Sequence, residues 1–223
     1  APKAGLNVLY VNSIVPYKQR KVKILNGSHT CLVPVSYLAG IDTVRETIED
    51  PQLGKFVREY IFDEVIPTID IPHDQMVAYS NSVLERYGNP FVRHELMSIA
   101  LNSVTKYKTR NLPVVLQSIE AGSFPKHALF SLAALIAFYR GKRGNEDIAL
   151  KDDEWALDFF KKEWSNFDGS KEACRRIVTD FLGLEHHWEL NLNNLKGVTD
   201  FVTDCLYEIE TKPMREALAF IGC

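Results

Sequence analysis

Cysteine is scarce in this sequence, and the few cysteines present do not form a metal-binding pattern. The 223 residues include four cysteines, Cys31, Cys174, Cys205 and Cys223, and no two of them form a C-x-x-C pair. Their spacing from histidine does not match a zinc motif either. Four unclustered cysteines in a chain of this length argue against a disulfide framework and favour reduced thiols in the cytoplasm. We therefore expect a cytoplasmic protein without a metal site.

The sequence also lacks a long apolar run and a marked excess of either charge. Its longest apolar run, residues 129–139, is about half of a membrane span and is interrupted by Ser131. The first residues show no signal peptide. The net charge of −3 gives no reason to expect a nucleic-acid partner. These absences favour a protein without a membrane or nucleic-acid partner, and 46% hydrophobic residues suffice for a sizeable core.

Two motifs that would identify an enzyme class are missing. There is no G-x-G-x-x-G fingerprint for a dinucleotide, and the nearest glycine pair, Gly141 and Gly144, belongs to a basic turn. There is no G-x-S-x-G motif either, so nothing supports a serine nucleophile of the hydrolase type. The function must be argued from other residues.

Helical periodicity is the main pattern that is present. Apolar residues recur at intervals of three and four along most of the chain, which predicts about ten helices and an all-α fold. Residues 129–139 are apolar nearly all round and predict a central buried helix. Residues 91–101 are expected to be helical as well. Pro34 lies inside the helix that Pro16 begins, so we expect a kink or break near residues 32 and 33.

A candidate reactive face lies early in the helical part. Lys21, Asn26 and His29 are offset by zero, five and eight residues, which corresponds to roughly 0°, 140° and 80° around an α-helix. One side of the helix would then present an amine, an amide and an imidazole. Such groups can exchange a proton, donate to a developing oxyanion and orient a hydroxyl. The spacing alone is also compatible with a helix that simply has one polar side.

Six short stretches of the sequence favour a functional role for this face. They are PYKQRK at 16–21, LNGSHT at 25–30, YLAG at 37–40, RYGNP at 86–90, NSVTK at 102–106 and LAALIAFY at 132–139. Their sequences and order resemble the long-chain mannitol dehydrogenase family, and are most similar to its altronate oxidoreductase (tagaturonate reductase) branch. The resemblance implies a multi-helical C-terminal substrate domain, similar to that of 6-phosphogluconate dehydrogenase.

The same resemblance implies a division of the chain. In the family, a nucleotide-binding domain precedes the helical domain, and residues 1–15 would be its tail or a linker. Residues 6–11 contain β-branched and aromatic side chains and predict a short strand left from that domain. Residues 16–223 would form the helical substrate-binding and catalytic domain. NAD would be bound mainly by the N-terminal nucleotide-binding domain, which is absent from this chain and would be its partner.

Roles for individual residues also follow from the resemblance. Lys21 would be the general base, Asn26 half of an oxyanion hole, and His29 a contact to the substrate. Lys106 would contact substrate, and Arg110, one helical turn further on, adds a planar fork suited to a carboxylate. The two cations are equally open to interpretation as solvated surface residues.

The chain departs from the polyol-specific members of the family at two positions. Ser98 stands where those members carry arginine, and Lys18 where they carry an acidic residue. The serine at position 98 argues against an uncharged polyol and favours a substrate whose end group differs, and Lys18 changes the local charge. A sugar acid fits best.

Two further polar pairs attract attention but are better explained as structural. His186 and His187 would point about 100° apart on a helix and cannot converge on one ion. Asp63 and Glu64 would diverge in the same way, and we interpret them as a solvated edge. His94 and His127 lie on predicted helices, and we interpret them as satisfied core histidines or as surface histidines.

Two functions from different classes remain open at this point. The first is the substrate-binding and catalytic half of an NAD-dependent oxidoreductase that interconverts D-altronate and D-tagaturonate, with fructuronate reductase or mannitol dehydrogenase as alternatives within the family. The second is a non-enzymatic helical module for assembly or regulation, which would leave the face of Lys21, Asn26 and His29 unexplained.

Overall fold

The computed structural model describes Gly5, Val8 and residues 10–223, and this part of the chain is mostly helical. Its fourteen α-helices are α1 (Val15–Arg20), α2 (Gly27–Leu38), α3 (Val44–Glu49), α4 (Pro51–Glu59), α5 (His73–Tyr87), α6 (Leu96–Ile99), α7 (Ser103–Arg110), α8 (Leu112–Glu120), α9 (Lys126–Phe138), α10 (Glu154–Ser165), α11 (Lys171–Leu182), α12 (Glu185–Trp188), α13 (Val198–Thr211) and α14 (Met214–Ala217).

Short pieces of other secondary structure complete the described part. Two segments are π-helical and three are 3-10 helical: Lys21–Asn26 and Tyr60–Val65, then Ile66–Thr68, Leu192–Asn194 and Leu218–Ile221. An antiparallel pair joins β1 (Lys142–Arg143) to β2 (Glu146–Asp147). The predicted all-α class is confirmed. Among the described residues, no helix is long and apolar enough to cross a membrane.

Helix α9 lies at the centre of the core, as its apolar sequence predicts. Every residue from His127 to Phe138 is buried, and α9 packs mainly against α2 and α13. The Ser131 hydroxyl donates to the Cys31 carbonyl of α2 over 2.8 Å, which satisfies a fully buried polar group. Because α2 directly follows the segment that carries Lys21 and Asn26, this core contact holds the candidate face in place.

Helix α2 runs through Pro34 without the break that the sequence predicts. Pro34 has no N–H, so the helix loses one backbone hydrogen bond at that point. Burial of Leu32 and Val35 in the core offsets this loss. The irregular part of the helix lies earlier, at residues 21–26, where the chain is π-helical.

The predicted strand at residues 6–11 lies partly outside the described residues, since Leu6, Asn7 and Leu9 are not described. The described residues of that segment, Val8, Tyr10 and Val11, have no strand structure, so the prediction is wrong for them. Isolated strand-like sequence is not enough to form a strand, because a strand needs a hydrogen-bonded neighbour.

The predicted helix over residues 91–101 is also mostly wrong, because only Leu96–Ile99 is helical. The preceding residues are extended and pair with the start of α3. The Val44 N–H donates to the His94 carbonyl over 3.0 Å, and the Leu96 N–H donates to the Asp42 carbonyl over 2.8 Å. Tertiary hydrogen bonds therefore override the helical pattern here and place His94 close to α2.

Candidate active site

The segment Lys21–Asn26 is a wide helical turn rather than a regular α-helix. The N–H of Gly27 reaches back to the carbonyl of Val22, which is the i→i+5 pattern of a π-helix. A π-helical turn contains more residues than an α-helical turn, so Lys21 and Asn26 are offset by a smaller angle around the helix axis. A regular helix would separate them by roughly 140°. The geometry therefore differs from the sequence expectation in a way that brings the amine and the amide closer together.

The wide turn is stabilised by side chains that bind its carbonyl groups. Each carbonyl of residues 24–27 accepts a hydrogen bond from a side chain. The donors are Ser28 to Ile24, Tyr87 to Leu25, Thr30 and Arg110 to Asn26, and Asn111 to Gly27. A π-helical turn disturbs the usual i→i+4 pattern, and these bonds satisfy the carbonyls that the disturbance affects.

Asn111 is a fully buried donor that connects the wide turn to two other elements. Its side-chain amide donates to the Gly27 carbonyl over 3.0 Å and to the Tyr60 hydroxyl over 2.8 Å, and the residue has no exposed surface. Gly27 permits this close approach, because a Cβ there would lie 3.3 Å from the Tyr60 hydroxyl oxygen. Asn111 therefore fixes the wide turn against α8 and the second π-helical segment.

His29 lies one turn beyond Asn26 and is held by two rings. It stacks on Tyr87 with ring centroids 4.3 Å apart and meets His94 edge-on at 5.0 Å. The pKa of His29 is lowered to about 3, mainly by burial and then by the electrostatic influence of His94, Arg110, Arg86 and Lys21, in that order. His29 is therefore a neutral imidazole at neutral pH. Its Nε2 is buried and has no hydrogen-bond partner among the described residues.

The two predicted substrate-binding cations lie beside this face. Arg110 Nη1 donates to the Thr30 hydroxyl over 3.1 Å and to the Asn26 carbonyl over 3.4 Å. Lys106 Nζ donates to the Ile99 carbonyl over 2.8 Å. Burial lowers the pKa of Lys106, and Arg110 lowers it further, while Asp152 opposes the shift.

All five residues predicted from the sequence therefore come together in one region of the surface. Lys21 is exposed, whereas the other four are half-buried. The side chain of Asn26 makes no hydrogen bond within the described part of the chain, although its backbone carbonyl is engaged. An amine, a free amide, a neutral imidazole and two cations thus lie in one region of the fold.

The comparison with known proteins identifies the family. Residues 13–210 match the family model described as the mannitol dehydrogenase C-terminal domain. The chain belongs to this family. Over 217 residues it is 44% identical to an altronate oxidoreductase of Klebsiella pneumoniae (strain 342) and 43% identical to that of Enterobacter sp. (strain 638). These matches cover 97% of this chain and 45% of each relative, so it spans less than half of their length.

Solved structures show the same fold as this mannitol dehydrogenase C-terminal domain. Pseudomonas fluorescens mannitol 2-dehydrogenase, in a ternary complex with NAD and D-mannitol, matches with a TM-score of 0.85 at 20% identity over 98% of this chain and 43% of that one. D-sorbitol dehydrogenase in substrate-free form matches with a TM-score of 0.76 at 22% identity over 97% and 43%. At these identities the likeness concerns the fold, and it confirms the C-terminal helical domain expected from the sequence.

The structure adds three residues of this mannitol dehydrogenase C-terminal domain that the sequence analysis did not assign to the site. Arg86 and Tyr87 come from the last turn of α5, and His94 comes from the extended segment before α6. Arg86 and His94 act electrostatically on His29, and Tyr87 stacks on it. The stretch at 86–90 carries the family resemblance, so a signal for Arg86 and Tyr87 was present. His94 had none, because its position depends on the strand-like pairing with α3.

The charge of the site is strongly positive. Lys21, Arg86 and Arg110 lie near His29, and Lys106 lies near Arg110. None of these four cations forms a salt bridge within residues 10–223. Cations that lack an acidic partner attract an anionic ligand and gain from pairing with it. The arrangement therefore suits a substrate with a carboxylate.

Lys23 differs from the other basic residues of this segment, because it points into the protein. Its ammonium group donates to the carbonyl and hydroxyl of Thr68 over 2.9 and 3.1 Å and also to the side chain of Gln117. Burial lowers the pKa of Lys23 to about 8. Lys23 thus anchors the wide turn from the side opposite to Lys21 and has no access to a substrate there.

Proposed function

We propose that this chain is the substrate-binding and catalytic part of an NAD-dependent oxidoreductase that interconverts D-altronate and D-tagaturonate. The observation that carries the proposal is the group of unpaired cations around the face formed by Lys21, Asn26 and His29. The identity of 43–44% to altronate oxidoreductases supports the choice of substrate. Residues 16–223 would be the substrate domain, and residues 1–15 the tail of a nucleotide-binding domain or a linker.

Oxidation of altronate requires the removal of a proton from the hydroxyl oxygen and a hydride from its carbon. Lys21 is exposed at the site and, as an amine, would take the hydroxyl proton as general base. The free amide of Asn26 would donate a hydrogen bond to the negative charge that develops on that oxygen. In the reductive direction the two steps reverse, and Lys21 returns the proton to the new hydroxyl.

His29 would position the substrate rather than exchange a proton with it. With a pKa near 3 it stays neutral during turnover, so it can form directional hydrogen bonds without adding charge. The Nε2, which has no partner among the described residues, would accept a hydrogen bond from a substrate hydroxyl once substrate binding makes it accessible. Stacking on Tyr87 restricts the ring to one plane, which makes that contact specific.

The carboxylate of the sugar acid would bind on the cationic side of the site. Arg110 can offer its remaining N–H donors as a bidentate fork, because its bonds to Thr30 and Asn26 involve only Nη1. With the carboxylate bound to Arg110, Lys106 would contact the substrate nearer to the carbon that exchanges the hydride. This would explain why the site contains basic residues where an uncharged polyol needs none.

NAD, when bound, accepts or supplies the hydride in this scheme. The sequence contains no G-x-G-x-x-G fingerprint, so the residues of this chain fit the substrate side of the reaction and not the dinucleotide side. We assign the cofactor to an N-terminal nucleotide-binding domain in the remaining part of the protein. That domain would also close the site above the exposed Lys21.

The replacement of Lys21 by alanine in the full-length protein tests the proposal. We expect kcat for altronate oxidation to fall by about 10²–10⁴-fold, with a much smaller change in KM, because the general base is removed while the binding residues remain. The rate for the unmodified protein should rise with pH through one ionisation that the variant lacks.

The matched control is Lys18→Ala, which removes an exposed lysine from the preceding helix. Its kcat should remain within about threefold of the unmodified value, because Lys18 has no assigned role in proton transfer. Near-native turnover of Lys21→Ala with an unchanged pH profile would show that another group is the base. A preference for mannitol or mannonate over altronate would leave the mechanism intact but refute the substrate.

A further inference from the structure

Three potential metal ligands converge outside the cationic cluster. Glu59 lies at the end of α4, His127 at the start of α9, and Cys223 follows the last 3-10 helix. The His127 Nε2 lies 2.9 Å from a Glu59 carboxylate oxygen, and the Cys223 Sγ lies 3.2 Å from the same oxygen and 3.5 Å from Nε2. Their sequence separations of 68 and 96 residues explain why no spacing motif revealed them.

The hydrogen bonds of Glu64 fix the orientation of His127. The Glu64 carboxylate accepts from the backbone N–H groups of His127 and Ala128 over 2.7 and 2.9 Å, and it lies 2.8 Å from His127 Nδ1. It therefore acts as an acceptor toward Nδ1, which carries the hydrogen. Glu64 is buried, so the interpretation of Asp63 and Glu64 as a solvated edge is wrong for Glu64.

With the hydrogen on Nδ1 engaged by Glu64, Nε2 faces a Glu59 carboxylate oxygen at 2.9 Å. Two acceptors at that distance repel each other unless a proton or a metal ion lies between them. The thiol of Cys223 adds a third donor atom to the same point. A histidine that binds zinc through one ring nitrogen usually donates the hydrogen of its other ring nitrogen to a carboxylate. The contact between His127 Nδ1 and Glu64 has this arrangement.

The position of Cys223 is fixed by its backbone and not only by its thiol. Gly222 has a φ of +86°, and the N–H of Cys223 donates to the Leu218 carbonyl, which reverses the chain after the last helical turn. Lys55 donates to the Gly222 carbonyl over 2.7 Å, and Gln52 donates to that of Cys223 over 3.3 Å. The thiol is therefore held in place before any ligand arrives.

We propose that Glu59, His127 and Cys223 form a zinc-binding site, with Glu64 orienting His127. A carboxylate, an imidazole and a thiolate are ligands that zinc accepts together, at about 2.0–2.3 Å each. A tetrahedral ion at those distances separates its ligand atoms by roughly 3.4–3.6 Å. The present separations of 2.9–3.5 Å require a movement of only a few tenths of an ångström.

Zinc at this point would connect three parts of the fold. It would join the end of α4, the start of the central helix α9 and the C-terminal residues 218–223. Glu59 and Cys223 are partly exposed, so water can occupy the fourth coordination position. Lys55 and Lys126 lie near the thiol and weaken the site electrostatically, which predicts moderate affinity.

The experiment measures zinc binding to the chelator-treated chain by equilibrium dialysis, with metal analysis of the protein fraction. We expect one zinc ion per chain. Cys223 is the one cysteine that is not fully buried, so a thiol reagent should label it selectively in the folded protein. Zinc should slow this labelling by tenfold or more, because the bound thiolate is no longer free to react.

Variants separate a specific site from nonspecific adsorption. Cys223→Ser should weaken zinc binding by about 100-fold, and Glu64→Gln by about 10–100-fold through its effect on His127. Cys174→Ala, which changes a buried cysteine elsewhere, should bind zinc like the unmodified chain. Equal binding by Cys223→Ser and the unmodified chain would overturn the proposal, as would the absence of zinc from both at micromolar concentrations. His127→Gln is not needed, so a folding defect at that buried position leaves the test intact.

Discussion

Arg110 has two possible roles, which substitution can separate. Its bonds to Thr30 and the Asn26 carbonyl give it a structural role, and its remaining donors allow it to bind a carboxylate. For Arg110→Met we expect binding of altronate to weaken by roughly 2–5 kcal/mol, because the substrate carboxylate is left unpaired. Steady-state kinetics of the full-length protein with altronate, compared with the corresponding uncharged polyol, measure this effect.

The uncharged polyol decides between the two roles of Arg110. If Arg110 reads the carboxylate, the variant should lose its discrimination between acid and polyol while kcat for the polyol changes little. An equal loss for both substrates would instead indicate that Arg110 only positions Asn26. Lys108→Met is the matched control, since Lys108 is on the same helix but is paired with Glu189 at 2.8 Å.

His29 makes the folded protein sensitive to acid. Its pKa in the folded state is about 3, against an ordinary value near 6.5. Between these two pH values the unfolded chain binds a proton that the folded chain does not, so stability falls as the pH decreases from 6.5 toward 3. At pH 4.5 this loss is on the order of 2–3 kcal/mol.

Urea unfolding at pH 7 and pH 4.5 measures this contribution. In His29→Gln, which cannot titrate, the decrease in the free energy of unfolding between these pH values should be smaller by that amount. His73→Gln removes an exposed histidine from the start of α5 and should leave the pH dependence unchanged. An identical acid sensitivity of His29→Gln and the unmodified chain would mean that burial does not keep this imidazole neutral.

At the scale of elements, the helices that begin with clear local signals were predictable. Pro51 follows Asp50, whose carboxylate accepts from the N–H groups of Gln52 and Leu53, and α4 begins there as expected. The all-apolar sequence of α9 likewise predicts its burial. In these cases the signal is local, or depends only on the average polarity around the helix.

The elements that sequence reasoning missed depend on contacts between distant residues. The wide turn at residues 21–26 requires Tyr87 and Asn111 as donors, and neither can be paired with it from the sequence. The extended course of residues 92–95 depends on hydrogen bonds to the start of α3. A period of 3.6 residues predicts a regular helix in both places, and tertiary hydrogen bonds change the outcome.

Asn111 should control the geometry of the wide turn. In Asn111→Ala, the Gly27 carbonyl and the Tyr60 hydroxyl lose a buried donor, which should lower the free energy of unfolding by about 2–3 kcal/mol. Because the turn aligns Lys21 with Asn26, kcat of the full-length protein should also fall while KM changes little. Asn145→Ala, at an exposed position in the hairpin, is the control and should change neither quantity. A loss of stability without any effect on kcat would show that the π-helical turn serves folding alone.

At the scale of the whole molecule, the sequence identified the five catalytic and binding candidates but not their complete surroundings. Lys21, Asn26 and His29 are close in sequence, and Lys106 and Arg110 form a second local group. The family resemblance connected the two groups. Arg86 and His94 join the same site only through the packing of α5 and the extended segment, so their effect on His29 becomes apparent only in the folded chain.

At the scale of the whole molecule, the chain carries the groups proposed for the substrate but no dinucleotide motif. We therefore expect that it cannot complete the proposed reaction alone. It presents the proposed proton-transferring and carboxylate-binding groups at its exposed or half-buried surface, and its sequence has no dinucleotide fingerprint. We expect purified residues 1–223 to show no NAD reduction with altronate, whereas a protein of the full length of the relatives should be active. Absorbance of the reduced nicotinamide measures both.

Binding can be separated from turnover in the same preparations. The cationic cluster lies wholly within residues 21–110, so the isolated chain should still bind altronate weakly, and Arg110→Met should reduce that binding. Calorimetric titration with altronate and with the uncharged polyol would detect the difference. Turnover by the isolated chain would place the nicotinamide site within these helices and would refute the assignment of the cofactor to another domain. A lack of binding as well as turnover would indicate that the second domain completes the carboxylate site, since without it the cations remain partly hydrated, which weakens each ion pair.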